Sequence, residues 1–97
     1  MRRRQSKVGR IKADIMDWLT RNTAVSRGEI ISQADQNYLA KGWIDSFKFI
    51  SLIGLLEEKY KITYSGGDLR QVEFTTVNGL ARITHERLLE KERTGCR

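Results

Sequence analysis

The residues best suited to chemistry in this 97-residue sequence are an adjacent aspartate and serine, Asp45 and Ser46. A serine hydroxyl acts as a nucleophile when it is exposed and activated, and both residue types are also frequent N-caps of α-helices. From Phe47 onward, apolar residues recur at helical spacing, which predicts a helix over residues 46–60. The pair is therefore either a helix cap alone or a reactive hydroxyl presented at a helix N-terminus.

Other residue types that commonly carry chemistry are scarce. His85 is the only histidine and stands beside Glu86 and Arg87, so we expect it to be solvated surface. Cys96 is the only cysteine and has no neighbours at metal-ligand spacing. Because no nucleophile–base pair and no paired carboxylates can be assembled, the sequence predicts neither a metal site nor an enzyme.

Three amphipathic helices account for most of the apolar residues, and their stripes predict the sides that face a core. The stripes are Val8, Ile11, Ile15, Trp18 and Leu19 in a helix over 7–22, Phe47, Ile50, Ile53, Leu56 and Tyr60 over 46–60, and Val77, Leu80, Ala81, Thr84 and Leu88 in a last helix that Thr75 or Thr76 caps. Among the aromatic residues, Trp18, Phe47, Tyr60 and Phe74 are expected in the core.

The connections between these helices carry weaker patterns. Segment 23–42 could be pinned to the core by Ile30, Ile31, Tyr38 and Leu39, and a connection of this length usually carries function or a short helix. After Ser65-Gly66-Gly67, Asp68 predicts the cap of a brief turn that contains Leu69, Val72 and Phe74.

The predicted fold is therefore all-α, with three main helices, one short helix and a long loop between the first two main helices. The chain is long enough for one domain with one modest core. We place that domain at residues 7–91, between a basic tail at 1–6 and a C-terminal tail at 92–97.

The net charge of +6 is concentrated at the ends of the chain. The first 12 residues hold six basic residues and no acidic one, whereas residues 13–69 hold six basic against eight acidic residues. The run Arg2–Arg4 is not followed by the apolar segment of a signal peptide, and no stretch is long enough to span a membrane. A cytoplasmic location is therefore expected.

The segment GWIDSFKFISLIGLLEEKYKI, residues 42–62, resembles the modification site and second helix of the acyl and peptidyl carrier proteins. An Asp-Ser pair precedes a large apolar residue, and the helix ends in an acidic-aromatic-aliphatic series, here Glu57, Glu58, Tyr60 and Ile62. The segment Phe74-Thr75-Thr76-Val77 is similar to the family's entry into its last helix. The resemblance covers about residues 8–90 and implies an acyl-carrier-like bundle.

In this family the serine carries a 4′-phosphopantetheine arm derived from coenzyme A, and the thiol of the arm holds the substrate as a thioester. The resemblance therefore implies that Ser46 is the attachment point and that Asp45 is recognised by a phosphopantetheinyl transferase. The resulting phosphodiester is an anion, which a helix N-terminus favours. The chain is expected to be a free-standing, monomeric carrier and phosphoprotein of fatty acid, polyketide or nonribosomal peptide biosynthesis.

The surface of the predicted second helix departs from the family pattern. Many carriers have acidic residues two and five positions after the serine, where this chain has a lysine and a serine. A leucine also falls on the polar arc of the helix, where the core does not need it. We therefore expect a dedicated partner, an acyl- or aminoacyl-adenylating ligase or a synthase, to contact Phe47, Lys48, Ser51, Leu55 and Glu58.

Two other functions stay open on the sequence. A small basic helical module could bind nucleic acid, although this would need basic residues on one face of a folded element, and the basic cluster mostly precedes the first helix. A carrier-like fold that is never modified could act as an adaptor between partner proteins. The sequence does not separate this adaptor from a carrier.

Overall fold

Three long helices and three short helical segments make up the computed structural model, which describes residues 6–94. The elements are α1 (Ser6–Asn22), α2 (Arg27–Ser32), α3 (Ser46–Tyr60), α4 (Gly66–Leu69), a 3₁₀ helix (Val72–Thr75) and α5 (Val77–Thr94). No strand occurs within residues 6–94. The predicted all-α fold with three main helices is confirmed, although the chain forms more short helical segments than the one that was predicted.

The helices extend into both of the predicted tails. Helix α1 already begins at Ser6, and α5 continues to Thr94, past residue 91. The remaining residues of both predicted tails, 1–5 and 95–97, lie outside the described residues, and so does Cys96.

Helices α1 and α5 pack against each other and supply much of the core. The predicted stripes are confirmed at the positions that matter most: Ile11, Ile15 and Leu19 of α1 are fully buried, while Val8 and Trp18 are partly buried. All five stripe residues of α5 are buried as well. The first turn of α5 is capped by Thr76, whose Oγ1 accepts a hydrogen bond from the Gly79 N–H at 2.9 Å.

Helix α3 agrees with the predicted stripe only in its second half, where Leu56 is buried and Ile53 and Tyr60 are packed against the core. Leu52 and Leu56 are fully buried, and Phe49 is packed against the core, with its ring 5.8 Å from that of Phe74. Phe47 and Ile50, which were predicted as core residues, are 77% and 68% exposed, so that prediction was wrong for them. The reason is that α3 has apolar residues on most of its circumference, so more than one stripe fits the helical period.

The long connection contains the short helix α2, which agrees with the expectation for a segment of that length. Ser26 is its N-cap and accepts a hydrogen bond from the Glu29 N–H. Ile30 is buried, whereas Ile31 is 54% exposed and does not pin the segment as predicted. The main anchor is Tyr38, which is fully buried and whose hydroxyl donates to the Phe74 carbonyl at 2.9 Å.

The segment before α5 also differs in detail from the prediction. Ser65, not Asp68, is the N-cap of α4, and the two residues form a reciprocal capping box. The Asp68 carboxylate is buried and lies 3.4 Å from Arg87 Nε of α5, which ties α4 to that helix. Phe74 is buried as expected, but Leu69 and Val72 are mostly exposed, because the short helices present only one side to the core.

Within the described part of the chain, no helix is long and apolar enough to cross a membrane. The same residues contain no group of three metal-ligating side chains close enough to hold an ion.

Candidate functional site

The N-terminus of α3 presents Ser46 to solvent. Asp45 is the N-cap, and its Oδ1 accepts a hydrogen bond from the Lys48 N–H at 2.9 Å. Ser46 is the first residue of the helix, and its side chain is exposed. The cap therefore fixes the direction in which the helix begins and leaves the hydroxyl accessible to a large reagent.

The backbone at this helix end suits an anionic group. The first N–H groups of an α-helix have no acceptor within the helix, and Asp45 satisfies only the one from Lys48. The N–H groups of Ser46 and Phe47 thus point out of the N-terminal end, where the helix dipole also favours negative charge. A phosphodiester on Ser46 would lie next to them.

Lys48 connects the beginning of α3 to the end of α1. Its Nζ donates to the backbone carbonyl of Asn22, the last residue of α1, at 2.8 Å. A cation near a helix C-terminus is favoured by the dipole and by the carbonyls that lack a partner there. The contact fixes the position of the α3 N-terminus relative to α1 without involving Ser46.

A cleft of about 420 Å³ opens beside the N-terminus of α3. It lies between the connecting segment and the first turn of the helix, and its lining residues are Leu39, Gly42, Trp43, Ile44, Asp45 and Lys48. Ile44 is buried, whereas Leu39 and Trp43 are partly exposed. The cleft therefore combines apolar side chains with one carboxylate and one ammonium group.

The wall of the cleft is held by hydrogen bonds of the connecting segment. Asn37 Oδ1 accepts from the N–H groups of Leu39 and Ala40 at 2.8 and 2.9 Å. The Trp43 N–H donates to the carbonyl of the buried Tyr38 at 3.1 Å. Gly42 has a φ of 78°, a backbone conformation that residues other than glycine rarely adopt. These bonds hold the wall without any bound partner.

The residues predicted to contact a partner all lie on the solvent side of α3. Phe47, Lys48, Ser51, Leu55 and Glu58 are exposed, with Leu55 at 42%. Ile50 was predicted as a core residue and belongs to this surface as well. Its spacing of three residues from Phe47 is the signal that places both side chains on neighbouring turns. The sequence patterns do not predict the cleft, because it forms between a connecting segment and a helix end.

The C-terminal half of α3 is attached to the rest of the protein by polar contacts. Tyr60 donates a hydrogen bond from its hydroxyl to Asp14 of α1, which also pairs with Lys59 at 3.3 Å. Burial, with help from the Asp14 carboxylate, raises the pKa of Tyr60 above its ordinary value. Glu57 accepts from the Tyr64 N–H at 3.0 Å and so turns away from the outer surface. Glu58 remains as the acidic residue on that surface.

No family model matches the chain, and neither does any curated protein or solved structure. The function is therefore inferred from the residues at the start of α3 and from their surroundings.

Proposed function

We propose that this protein is a carrier that holds a substrate as a thioester on a 4′-phosphopantetheine arm attached to Ser46. The observation that carries the proposal is the exposed Ser46 hydroxyl at the first position of α3, directly after the Asp45 cap. The resemblance of residues 42–62 to the carrier family indicates which modification this serine would accept. The fold supports the proposal because it is an all-α bundle with a long connection before α3.

The residues around Ser46 fit such a group. Its phosphate would be held at the helix end by the N–H groups of Ser46 and Phe47, and the open surface leaves room for a transferase. When bound, the arm supplies a flexible thiol that carries acyl or aminoacyl groups. The protein's own side chains then orient and present the load and perform no catalysis.

Attachment requires one group transfer, for which coenzyme A is the donor. A bond forms between Ser46 Oγ and the phosphorus that bears the pantetheine unit, while the pyrophosphate P–O bond breaks and 3′,5′-ADP leaves. The hydroxyl proton passes to a base of the transferase. In this proposal the exposed Asp45 carboxylate is the group that the transferase recognises.

The proposed partners are the transferase and a dedicated acyl- or aminoacyl-adenylating ligase or synthase in the cytoplasm. Phe47, Ile50 and Leu55 give the outer side of α3 an apolar character, with Glu58 as its acid. Enzymes that use basic patches to recognise an acidic helix would find few acidic side chains on this surface. This favours a partner that is specific to this carrier.

Intact-mass measurement tests the proposal directly. The protein is incubated with coenzyme A and a broad-specificity phosphopantetheinyl transferase, and we expect a mass gain of one phosphopantetheine. Ser46→Ala should abolish the gain, whereas the matched variant Ser51→Ala, which alters another exposed serine of α3, should keep it. If the unchanged protein gains no mass, or if the gain survives in Ser46→Ala, the proposal is wrong and an unmodified adaptor becomes the better description.

A further inference from the structure

The cleft beside Ser46 has no role in the function proposed above, although two of its lining residues, Asp45 and Lys48, flank the serine in sequence. Its volume of about 420 Å³ lies within the range of roughly 300–1,000 Å³ that is typical of small-molecule sites. Because Asp45, the residue directly before Ser46, lines the cleft, a group attached to the Ser46 hydroxyl begins close to this space.

We propose that the cleft is a docking site for the proximal half of the phosphopantetheine arm, with Trp43 as its apolar contact. This inference rests on the carrier function proposed for Ser46. The arm is the expected occupant because Ser46 lies between two lining residues in sequence, Asp45 and Lys48. Covalent attachment at Ser46 gives the arm a high effective concentration at the cleft.

The lining matches the chemistry of that part of the arm. After the phosphate, phosphopantetheine has a geminal dimethyl group, a hydroxyl and two amides. The dimethyl group suits the surface formed by Leu39 and Trp43, which are both partly exposed. The amides and hydroxyl can pair with Lys48 and with the Asp45 carboxylate, which gives only one bond to the cap.

The wall of the cleft is also preformed, because hydrogen bonds within the protein hold it in place. Its wall is fixed by Asn37 and by the bond from the Trp43 N–H to Tyr38, and Tyr38 is itself held by Phe74 and Thr75. A preformed site loses less conformational entropy on binding than a mobile one.

Tryptophan fluorescence gives a readout that does not depend on activity. The chain has two tryptophans, and Trp18→Phe makes Trp43 the only one. Mass measurement first establishes complete modification. Acrylamide quenching of Trp43 should then fall about two-fold in the modified form relative to the unmodified form, because a docked arm covers most of the exposed ring.

Proton NMR of the arm provides the second readout. The geminal methyl signals should move upfield in the modified protein relative to coenzyme A, and this shift should disappear in Trp43→Leu, whose helicity is checked by circular dichroism. Full modification with unchanged quenching and unshifted methyl signals would overturn the docking proposal and leave the carrier function intact. Absence of modification would instead refute the carrier function on which the docking rests.

Discussion

Alanine substitutions at two helix glycines are expected to change the stability of this fold in opposite directions. A Cβ at Gly54 of α3 would meet no heavy atom within 4 Å. At Gly79 of α5 it would lie 2.1 Å from the Glu73 carbonyl oxygen and 2.4 Å from Glu73 Cβ. The two sites differ because the 3₁₀ helix is in direct backbone contact with the first turn of α5.

The magnitudes follow from this geometry. Alanine gains about 1 kcal/mol over glycine in a helix interior, which for the exposed Gly54 is the whole effect. At Gly79 the same gain is opposed by overpacking, which costs about 1–3 kcal/mol and here belongs at the upper end. Relief would require the 3₁₀ helix to move together with Phe74, which is fully buried. The net loss in the free energy of unfolding is therefore about 2 kcal/mol.

Urea and thermal unfolding, followed by circular dichroism, measure both variants against the unchanged protein. For a domain of this size, Gly54→Ala should raise Tm by roughly 4–8 °C, and Gly79→Ala should lower it by roughly twice that amount. A Gly79→Ala protein as stable as the unchanged one would refute the close contact between Glu73 and α5. Destabilisation by Gly54→Ala would refute the open surface assigned to α3.

Three further predictions concern the site and the core. Asp45→Ala should lower the free energy of unfolding by about 1 kcal/mol through loss of the N-cap, whereas Asp45→Ser should keep the stability but slow modification, as measured by the rate of mass gain. Phe47→Ala should change the free energy of unfolding by less than about 0.5 kcal/mol and raise the KM of the transferase for this protein. Phe49→Ala removes the ring that packs against Tyr38 and Phe74, and it should lower the free energy of unfolding, measured in urea, by about 2 kcal/mol. Burial raises the pKa of Tyr64 to about 12. The unfolded state loses this proton near pH 10 and the folded state holds it to about 12, so stability should fall as pH rises through that interval, and urea unfolding should show a shallower fall in Tyr64→Phe.

The long helices could be predicted from the sequence because their apolar periods are unambiguous or their caps are strong. In α5, all five residues of the predicted stripe are buried, although Ile83, which the stripe did not include, is fully buried as well. In α3 the beginning could be predicted from Asp45, but the inward face could not. Phe47 and Phe49 are equally good core residues by type, and only packing against Tyr38 and Phe74 selects Phe49.

The short elements and the cleft depend on contacts between distant parts of the chain. Ile30 and Ile31 are identical in type, and the path of the segment after α1 decides which of them is buried. The N-cap of α4 was predicted at Asp68 but is Ser65. The Asp68 side chain instead completes the capping box and pairs with Arg87. No local pattern contains this information, since it arises when α4 meets α5.

The exposure of Phe47 changes what the surface of α3 implies for recognition. Burial of a large apolar side chain contributes roughly 1.5–3 kcal/mol, and the exposed Phe47 and Ile50 gain little of this within the chain itself. Adjacent exposed apolar residues of this size are typical of surfaces that a partner covers. An acidic helix attracts its partner over a long range and loses affinity in salt, whereas an apolar surface gains affinity by excluding water at contact. For the proposed carrier, we therefore expect recognition by a partner enzyme to depend on shape complementarity at the first turns of α3, beside Ser46.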